Sequence, residues 1–152
     1  MNKLKEFKCD LFELEKFSKN LSIQTKNSDI FLLKGDLGVG KTTFARFLIN
    51  SLFDKHNLSR PESIKSPSFP ILINYSLNKF EINHYDLYRI KKQEDLIQID
   101  FFESLQKNIS IIEWPDILLN KYIAKQYYLI EMEIINQNKR SIKIFHNKKT
   151  KL

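Results

Sequence analysis

The sequence predicts an α/β fold in which helices flank a mixed, mostly parallel central sheet. Short apolar runs alternate along the chain with segments whose apolar residues recur every three or four positions, as in alternating strands and helices. All three glycines of the chain, Gly35, Gly38 and Gly40, lie within six residues between a predicted strand and a predicted helix. This concentration of glycine indicates a loop whose backbone geometry is unusual.

The first third of the chain contains two predicted strands and two predicted helices. Residues 3–8 favour an edge strand, and a capping-box pattern that starts at Asp10 begins a helix predicted over 11–24. The wholly apolar run at 30–33 is typical of a buried strand in a parallel sheet. Apolar spacing after the glycines predicts a helix over 41–54.

The middle of the chain begins with a proline-containing loop, predicted over 55–70. Alternating apolar residues then predict a strand over 71–75, and Asn78 turns the chain into a second strand over 80–85. A helix is predicted over 91–106, where apolar residues recur on one side.

The last third contains an apolar strand predicted over 109–113 and a short helix over 115–123, which Pro115 opens. Residues 127–135 and 141–145 form a predicted closing hairpin, and 147–152 form a basic tail. We find no linker or repeat, so we expect the whole chain, residues 1–152, to form one domain.

The composition and charge of the chain exclude several classes of protein. The 152 residues carry a net charge of +7, with one cysteine and three scattered histidines, so we expect no disulfide and no zinc site. No apolar run is long enough to span a membrane and the first residues lack an apolar leader, which predicts a cytoplasmic protein. Because the positive charge is mostly lysine, a dedicated nucleic-acid patch is the weaker interpretation.

Residues 35–42 match the phosphate-loop pattern G-x-x-x-x-G-K-[ST] in full, between a predicted strand and a predicted helix. Backbone N–H groups of such a loop and of the helix start cradle phosphate oxygens. Lys41 is expected to reach the β- and γ-phosphates, and the Thr42 hydroxyl to ligate Mg²⁺. The candidate cofactor-binding residues are Gly35, Asp36, Leu37, Gly38, Val39, Gly40, Lys41, Thr42, Thr43 and Ser68. The fold class is thus a P-loop NTPase.

Two carboxylates at strand ends are candidates for the remaining chemistry. Glu113 closes an apolar strand and Asp86 follows the strand over 80–85, so both should lie at the edge of the sheet where ligands bind. We predict that Thr42, Glu113 and Asp86 hold Mg²⁺, and that Asp86, Glu113 and Lys41 serve catalysis. Ser68 lies in a loop of the kind that senses the γ-phosphate in many nucleoside triphosphatases.

The same glycine count favours ATP over GTP. A GTPase needs a D-x-x-G switch, and no glycine remains for one outside 35–40. The guanine-reading pattern N-K-x-D is absent too, its nearest approach being Asn78 to Glu81.

Four motifs together resemble the TsaE (formerly YjeE) family, bacterial ATPases of tRNA threonylcarbamoyladenosine biosynthesis. They are Gly-Asp-Leu-Gly-Val-Gly-Lys-Thr-Thr at 35–43, Ser-Pro-Ser-Phe at 66–69, His-Tyr-Asp-Leu-Tyr-Arg at 84–89 and Ile-Glu-Trp-Pro at 112–115. Their order and spacing agree with the family over essentially the whole chain.

The resemblance implies a small Mg²⁺-dependent ATPase that resets a complex of TsaD and TsaB, the proteins that modify the adenosine beside the tRNA anticodon. We expect weak activity of the protein alone, because the sequence offers no arginine finger beyond Arg89, whose direction it does not reveal. It implies contact with tRNA only through that complex. By position, Thr42 and Glu113 match the family's metal residues, and Asp86 matches an acid needed for hydrolysis. Ser68 replaces the family's usual threonine and keeps its hydroxyl. Residues 94–102 lack the family's glycine near Ile99, which predicts a more continuous helix there.

Two other functions stay open at this stage. A small-molecule kinase of the P-loop class would have a similar size, although the chain's four arginines are few for clamping an acceptor. A nucleotide-gated tRNA-binding module would fit the net positive charge and the many aromatic residues.

Overall fold

A computed structural model describes residues 1–119, 123 and 125–147 of the chain. Its strands are β1 (Asn2–Cys9), β2 (Ile30–Lys34), β3 (Leu72–Leu77), β4 (Phe80–Asp86), β5 (Ile109–Glu113), β6 (Tyr128–Ile134) and β7 (Arg140–His146). Its helices are α1 (Leu11–Gln24), α2 (Lys41–Lys55), α3 (Gln93–Ile97), α4 (Phe101–Lys107) and α5 (Asp116–Leu119). Most of the predicted basic tail and three residues of the predicted helix over 115–123 lie outside the described residues.

The described strands form one sheet in the order β1-β7-β6-β2-β5-β4-β3. Strands β6, β2, β5 and β4 pair in parallel, whereas β3 and β7 run antiparallel to their neighbours. Five of these seven strands therefore point the same way, which confirms a mixed, mostly parallel sheet. Because β2, β4 and β5 are parallel neighbours, their carboxyl ends meet at one edge of the sheet.

Both faces of the sheet are covered. Helices α1 and α2 pack on one face, where Phe31 and Leu33 of β2 meet Phe44 and Leu48 of α2. On the other face, residues of α3, α4 and α5 pack against Leu32 and other strand residues. Burial of both faces explains why β2 is a continuous apolar run without alternation. None of the helices that the structure describes is long and apolar enough to cross a membrane.

The start of α1 follows from its capping box. The Glu13 N–H donates to Asp10 Oδ1 over 2.8 Å, and the Asp10 N–H donates to Glu13 Oε2 over 2.8 Å. Two N–H groups that a helix start leaves unpaired are thereby satisfied, which confirms the predicted helix over 11–24.

The predicted helix over 91–106 is wrong, as is the expectation of a more continuous helix over 94–102. The chain forms α3 and α4 instead, and Asp100 between them has a left-handed backbone with φ of 51°. Aspartate tolerates this conformation better than most residues, so it substitutes here for a glycine. The break lets Leu96 and Phe101 both enter the core.

The strand predicted to start at Ile71 starts one residue later, at Leu72. Ile71 has a positive φ of 69°, which is unusual for a β-branched residue. Its carbonyl accepts from the Asp86 N–H over 2.9 Å, and its own N–H donates to the Pro67 carbonyl over 2.7 Å. These bonds tie the preceding loop to the end of β4.

Candidate nucleotide-binding site

The glycine-rich segment joins β2 to α2 at the carboxyl edge of the sheet. Gly35 packs so closely on β6 that a Cβ there would lie 2.6 Å from the Met132 carbonyl oxygen. Gly40 is the N-cap of α2, with a positive φ of 112° and no side chain to cap the helix. The first N–H groups of α2 thus stay available to an anion, which the partial positive charge of the helix start favours.

Lys41 begins α2 and is only 5% exposed. Its Nζ donates to the carbonyls of Gly35 over 2.6 Å and Asp36 over 3.0 Å, and lies 3.9 Å from the centre of the Trp114 ring. Burial lowers the pKa of Lys41, and the charge of Glu113 is the largest effect opposing it. The ammonium is therefore held at the loop by weak acceptors, which phosphate oxygens can replace with stronger charge-assisted bonds.

The two candidate carboxylates are direct neighbours across parallel strands. The register pairs Asp86, the last residue of β4, with Glu113, the last residue of β5. They are 4% and 2% exposed respectively. The Thr42 hydroxyl oxygen lies 3.0 Å from both carboxylate oxygens of Glu113. The structure thus brings together the three residues predicted to hold Mg²⁺.

Asp86 has few donors for a buried carboxylate. The Tyr88 N–H donates to its Oδ1 over 3.0 Å, and the Ser66 hydroxyl lies 3.5 Å from its Oδ2. Burial raises the pKa of Asp86, and the nearby charge of Glu113 raises it further. A cation between the two carboxylates would relieve both effects.

The donor chemistry of this edge suits Mg²⁺. Hydroxyl and carboxylate oxygens are its preferred protein ligands, and it is commonly bound by one or two carboxylates together with substrate phosphates. No group of three or more His, Cys, Asp or Glu in the described part of the chain could hold a metal ion by itself. Thr42, Glu113 and Asp86 therefore fit a metal that arrives with phosphates better than a resident one.

These side chains surround a cavity of about 460 Å³. It is lined by Leu37, Gly38, Gly40, Lys41, Thr42, Thr43, Ser66, Ser68, Asp86, Tyr88, Arg89, Glu113 and Trp114. The lining includes every candidate residue except Gly35, Asp36 and Val39. Of these three, Gly35 and Asp36 offer carbonyls to Lys41, whereas Val39 is buried in the core.

Aromatic residues on and beside the cavity wall lie close to cations. Phe69 is 84% exposed, with the Arg89 guanidinium 5.3 Å from its ring centre. The Tyr88 ring lies 4.9 Å from the Trp114 ring and 5.0 Å from the Lys91 ammonium. Sequence reasoning left the direction of Arg89 open, and the structure places it on the cavity wall.

A second cavity of about 520 Å³ lies on the other side of the loop. It shares Gly38, Gly40 and Thr43 with the first cavity. The start of α1 and the turn between β6 and β7 complete its walls, through residues that include Phe12 and Asn138. Sequence reasoning missed this region because its parts are more than 120 residues apart.

His84 begins the motif at 84–89, and sequence reasoning gave it no role in the site. It is fully buried, and its Nε2 lies 2.8 Å from Glu113 Oε1. The sequence contains a signal for this location. Residues two apart on a strand share a face, and His84 precedes Asp86 by two.

Comparisons with known proteins identify the family and the fold of the chain. A family model described as Threonylcarbamoyl adenosine biosynthesis protein TsaE matches residues 9–142. The tRNA threonylcarbamoyladenosine biosynthesis protein TsaE of Rickettsia felis is 38% identical over 135 residues, covering 89% of this chain and 75% of that protein. The protein of the same name from Aquifex aeolicus is 29% identical over 130 residues, covering 86% of each chain.

The crystal structure of Bacillus subtilis YdiB shows the same fold, with a TM-score of 0.66. It is 20% identical in sequence, and the match covers 95% of this chain and 87% of that one. The phosphate-loop pattern lies in its expected strand–helix setting, the overall fold matches, and the sequence matches along most of the chain. The chain therefore belongs to the TsaE family.

Proposed function

We propose that this protein binds and hydrolyses ATP as an accessory subunit of the machinery that forms threonylcarbamoyladenosine in tRNA. The names of its relatives support the pathway. The observation that carries the activity is the convergence of Lys41, Thr42, Asp86 and Glu113 on one cavity beside the glycine loop. TsaD and TsaB are the proposed partners, in the cytoplasm, and tRNA is met only through them.

In this proposal the loop and α2 bind the phosphates. The N–H groups at the start of α2 donate to phosphate oxygens, and the Lys41 ammonium leaves the Gly35 and Asp36 carbonyls to bind the β- and γ-phosphates. Thr42, Glu113 and Asp86 would hold Mg²⁺, and the bound metal would supply positive charge to neutralise the phosphates. Ser68, on the cavity wall, can donate a hydroxyl hydrogen bond to the γ-phosphate.

The second cavity is the proposed place for the nucleoside. It adjoins the loop at Gly40 and Thr43, on the side away from the carboxylates. Its wall combines the exposed ring of Phe12 with the amides of Gln137 and Asn138. An aromatic ring and amides can bind the face and edge of a purine base.

Weak activity of the isolated protein follows from the same geometry. Arg89 is the only arginine among the described residues that line the first cavity, beside the carboxylates, and its guanidinium stacks on exposed Phe69. Without a guanidinium on the γ-phosphate, hydrolysis lacks a contribution worth about 10³–10⁵ in rate in other NTPases. We propose that docking of TsaD and TsaB completes the site.

The test is Mg²⁺-dependent ATP hydrolysis by the protein alone, by TsaB with TsaD, and by all three together. We expect low activity alone, a marked increase in the mixture, and no activity without Mg²⁺. Equal rates with and without the partners would contradict the partnership. An acceptor screen in parallel would detect a small-molecule kinase, and direct tRNA binding with a steep salt dependence would instead favour the tRNA-binding module.

A further inference from the structure

His84 lies beneath the candidate site and takes no part in the proposed phosphate or metal contacts. It is fully buried on β4, two residues before Asp86, so both side chains face α2. Its Nε2 reaches Glu113 Oε1 diagonally across the parallel pair of β4 and β5, at 2.8 Å. Glu113 lines the cavity and His84 does not. The imidazole therefore contacts Glu113 from outside the cavity.

The contact determines which ring nitrogen carries the proton. A carboxylate oxygen only accepts, so Nε2 of His84 must donate to Glu113. Nδ1 is buried and has no hydrogen-bond partner among the described residues. A proton on Nδ1 would be a buried donor without an acceptor, and an unprotonated Nε2 would face the carboxylate with its lone pair. The geometry points to the Nε2–H tautomer.

Glu113 needs such a donor because of its other neighbour. Asp86 lies directly opposite it in the strand register, and like charges in that position repel. Among the described residues, the Thr42 hydroxyl is the other side-chain donor to Glu113, and in the proposed function its oxygen turns to the metal. His84 then remains as the protein donor that holds the Glu113 carboxylate beside Asp86.

We propose that His84 is a positioning residue: its Nε2–H engages Oε1 of Glu113 and holds the carboxylate with Oε2 presented to the cavity. This inference rests on the proposed function, because the presented oxygen matters only if a metal or an attacking water binds there. Donors behind a metal-binding side chain fix its orientation, and their loss commonly costs about 10- to 100-fold in metal affinity or activity.

Two substitutions separate positioning from packing. His84→Leu fills much of the buried space but has no donor, whereas His84→Gln places an amide N–H near the position of Nε2. The matched control is His56→Leu, because His56 lies at the end of α2 against Phe80, away from the cavity. The readouts are kcat, KM for ATP and the Mg²⁺ concentration for half-maximal rate. Trp114, the one tryptophan of the chain, reports ATP binding without Mg²⁺ by fluorescence.

For His84→Leu we expect kcat to fall and the required Mg²⁺ concentration to rise, each by about 10- to 100-fold, with ATP affinity in the absence of Mg²⁺ unchanged. His84→Gln should recover most of kcat, and His56→Leu should match the wild type. A purely structural role predicts that Leu and Gln variants of equal stability have equal kcat, and that result would overturn the proposal.

A second measurement does not depend on ATP. The ¹⁵N shifts of the imidazoles in the wild type should show His84 with its proton on Nε2, and Glu113→Gln should perturb that proton's resonance more than those of the other two histidines. A proton on Nδ1 would overturn the positioning role whatever the enzyme does. A wild type that shows the expected tautomer but does not bind ATP would instead overturn the proposed function.

Discussion

The two sides of the candidate site are built in different ways. The phosphate side, residues 35–42, is one continuous segment that consists of a loop and the first residues of α2. The carboxylate side consists of Asp86 and Glu113, which are 27 positions apart in the numbering and lie on different strands. The first side offers mainly backbone N–H groups, together with the ammonium of Lys41. The second side offers two buried acids that repel each other.

In the proposed function, this difference separates nucleotide binding from turnover. The phosphate side has the charge and the helix start that favour an anion before any metal is present. The carboxylate side opposes an anion until a cation is bound between its acids. Changes on the first side should therefore weaken nucleotide binding, and changes on the second should mainly slow hydrolysis.

The largest expected effect is that of Lys41→Ala, which removes the ammonium from the phosphate side. Two charge-assisted hydrogen bonds to phosphate, at about 1.5–3 kcal/mol each, correspond to a loss in ATP affinity of about 10²–10⁴-fold. Isothermal titration calorimetry would measure it. Lys34→Ala is the matched control, because Lys34 pairs with Glu131 outside the cavity. Wild-type affinity in the Lys41 variant would remove this lysine from the site.

Glu113→Gln tests the carboxylate side and should come next in size. The amide keeps an oxygen for the His84 donor, whereas alanine would leave buried donors unpaired at about 1–3 kcal/mol each. We expect kcat to fall by about 100-fold while ATP affinity without Mg²⁺ changes little. Steady-state kinetics and calorimetry together would show it. A variant that hydrolyses ATP at the wild-type rate would break the division between the two sides.

Asp86→Asn should lower the rate of hydrolysis least, and it should raise the stability of the folded protein. Because burial raises the pKa of Asp86, the folded protein binds this proton more tightly than the unfolded chain does. Stability should therefore fall as pH rises from the ordinary aspartate pKa through the raised one, and stay reduced above it.

The asparagine variant avoids that loss. At neutral pH its free energy of unfolding in urea should therefore exceed that of the wild type by about 0.2–1 kcal/mol, the scale of a cross-strand charge pair. We expect kcat to fall by about 10-fold, at the low end of the loss found for groups around a metal site. Denaturation at pH 4 and pH 7.5 would test the stability claim, since the advantage of the variant should shrink at the lower pH. If the variant is more stable than the wild type by the same amount at both pH values, the charge of Asp86 does not cause the difference in stability.

Local patterns were enough for much of the fold. The capping box at Asp10 and the apolar run of β2 each reflect interactions among residues near in sequence, and both predictions are confirmed. The break at Asp100 was not predicted, because it allows Leu96 and Phe101 to be buried in a core formed with distant strands. A periodic pattern contains no information about that requirement, so it extended one helix through the break.

The phosphate side could be predicted from the sequence, because the glycines, Lys41 and Thr42 lie within one short segment whose geometry is local. Two acids at strand ends could be predicted in the same way. The fold was needed to show that Asp86 and Glu113 are direct neighbours, that Thr42 and His84 both reach Glu113, and that Arg89 lines the cavity. Strand order and register depend on the packing of the whole sheet, and no short segment specifies that packing.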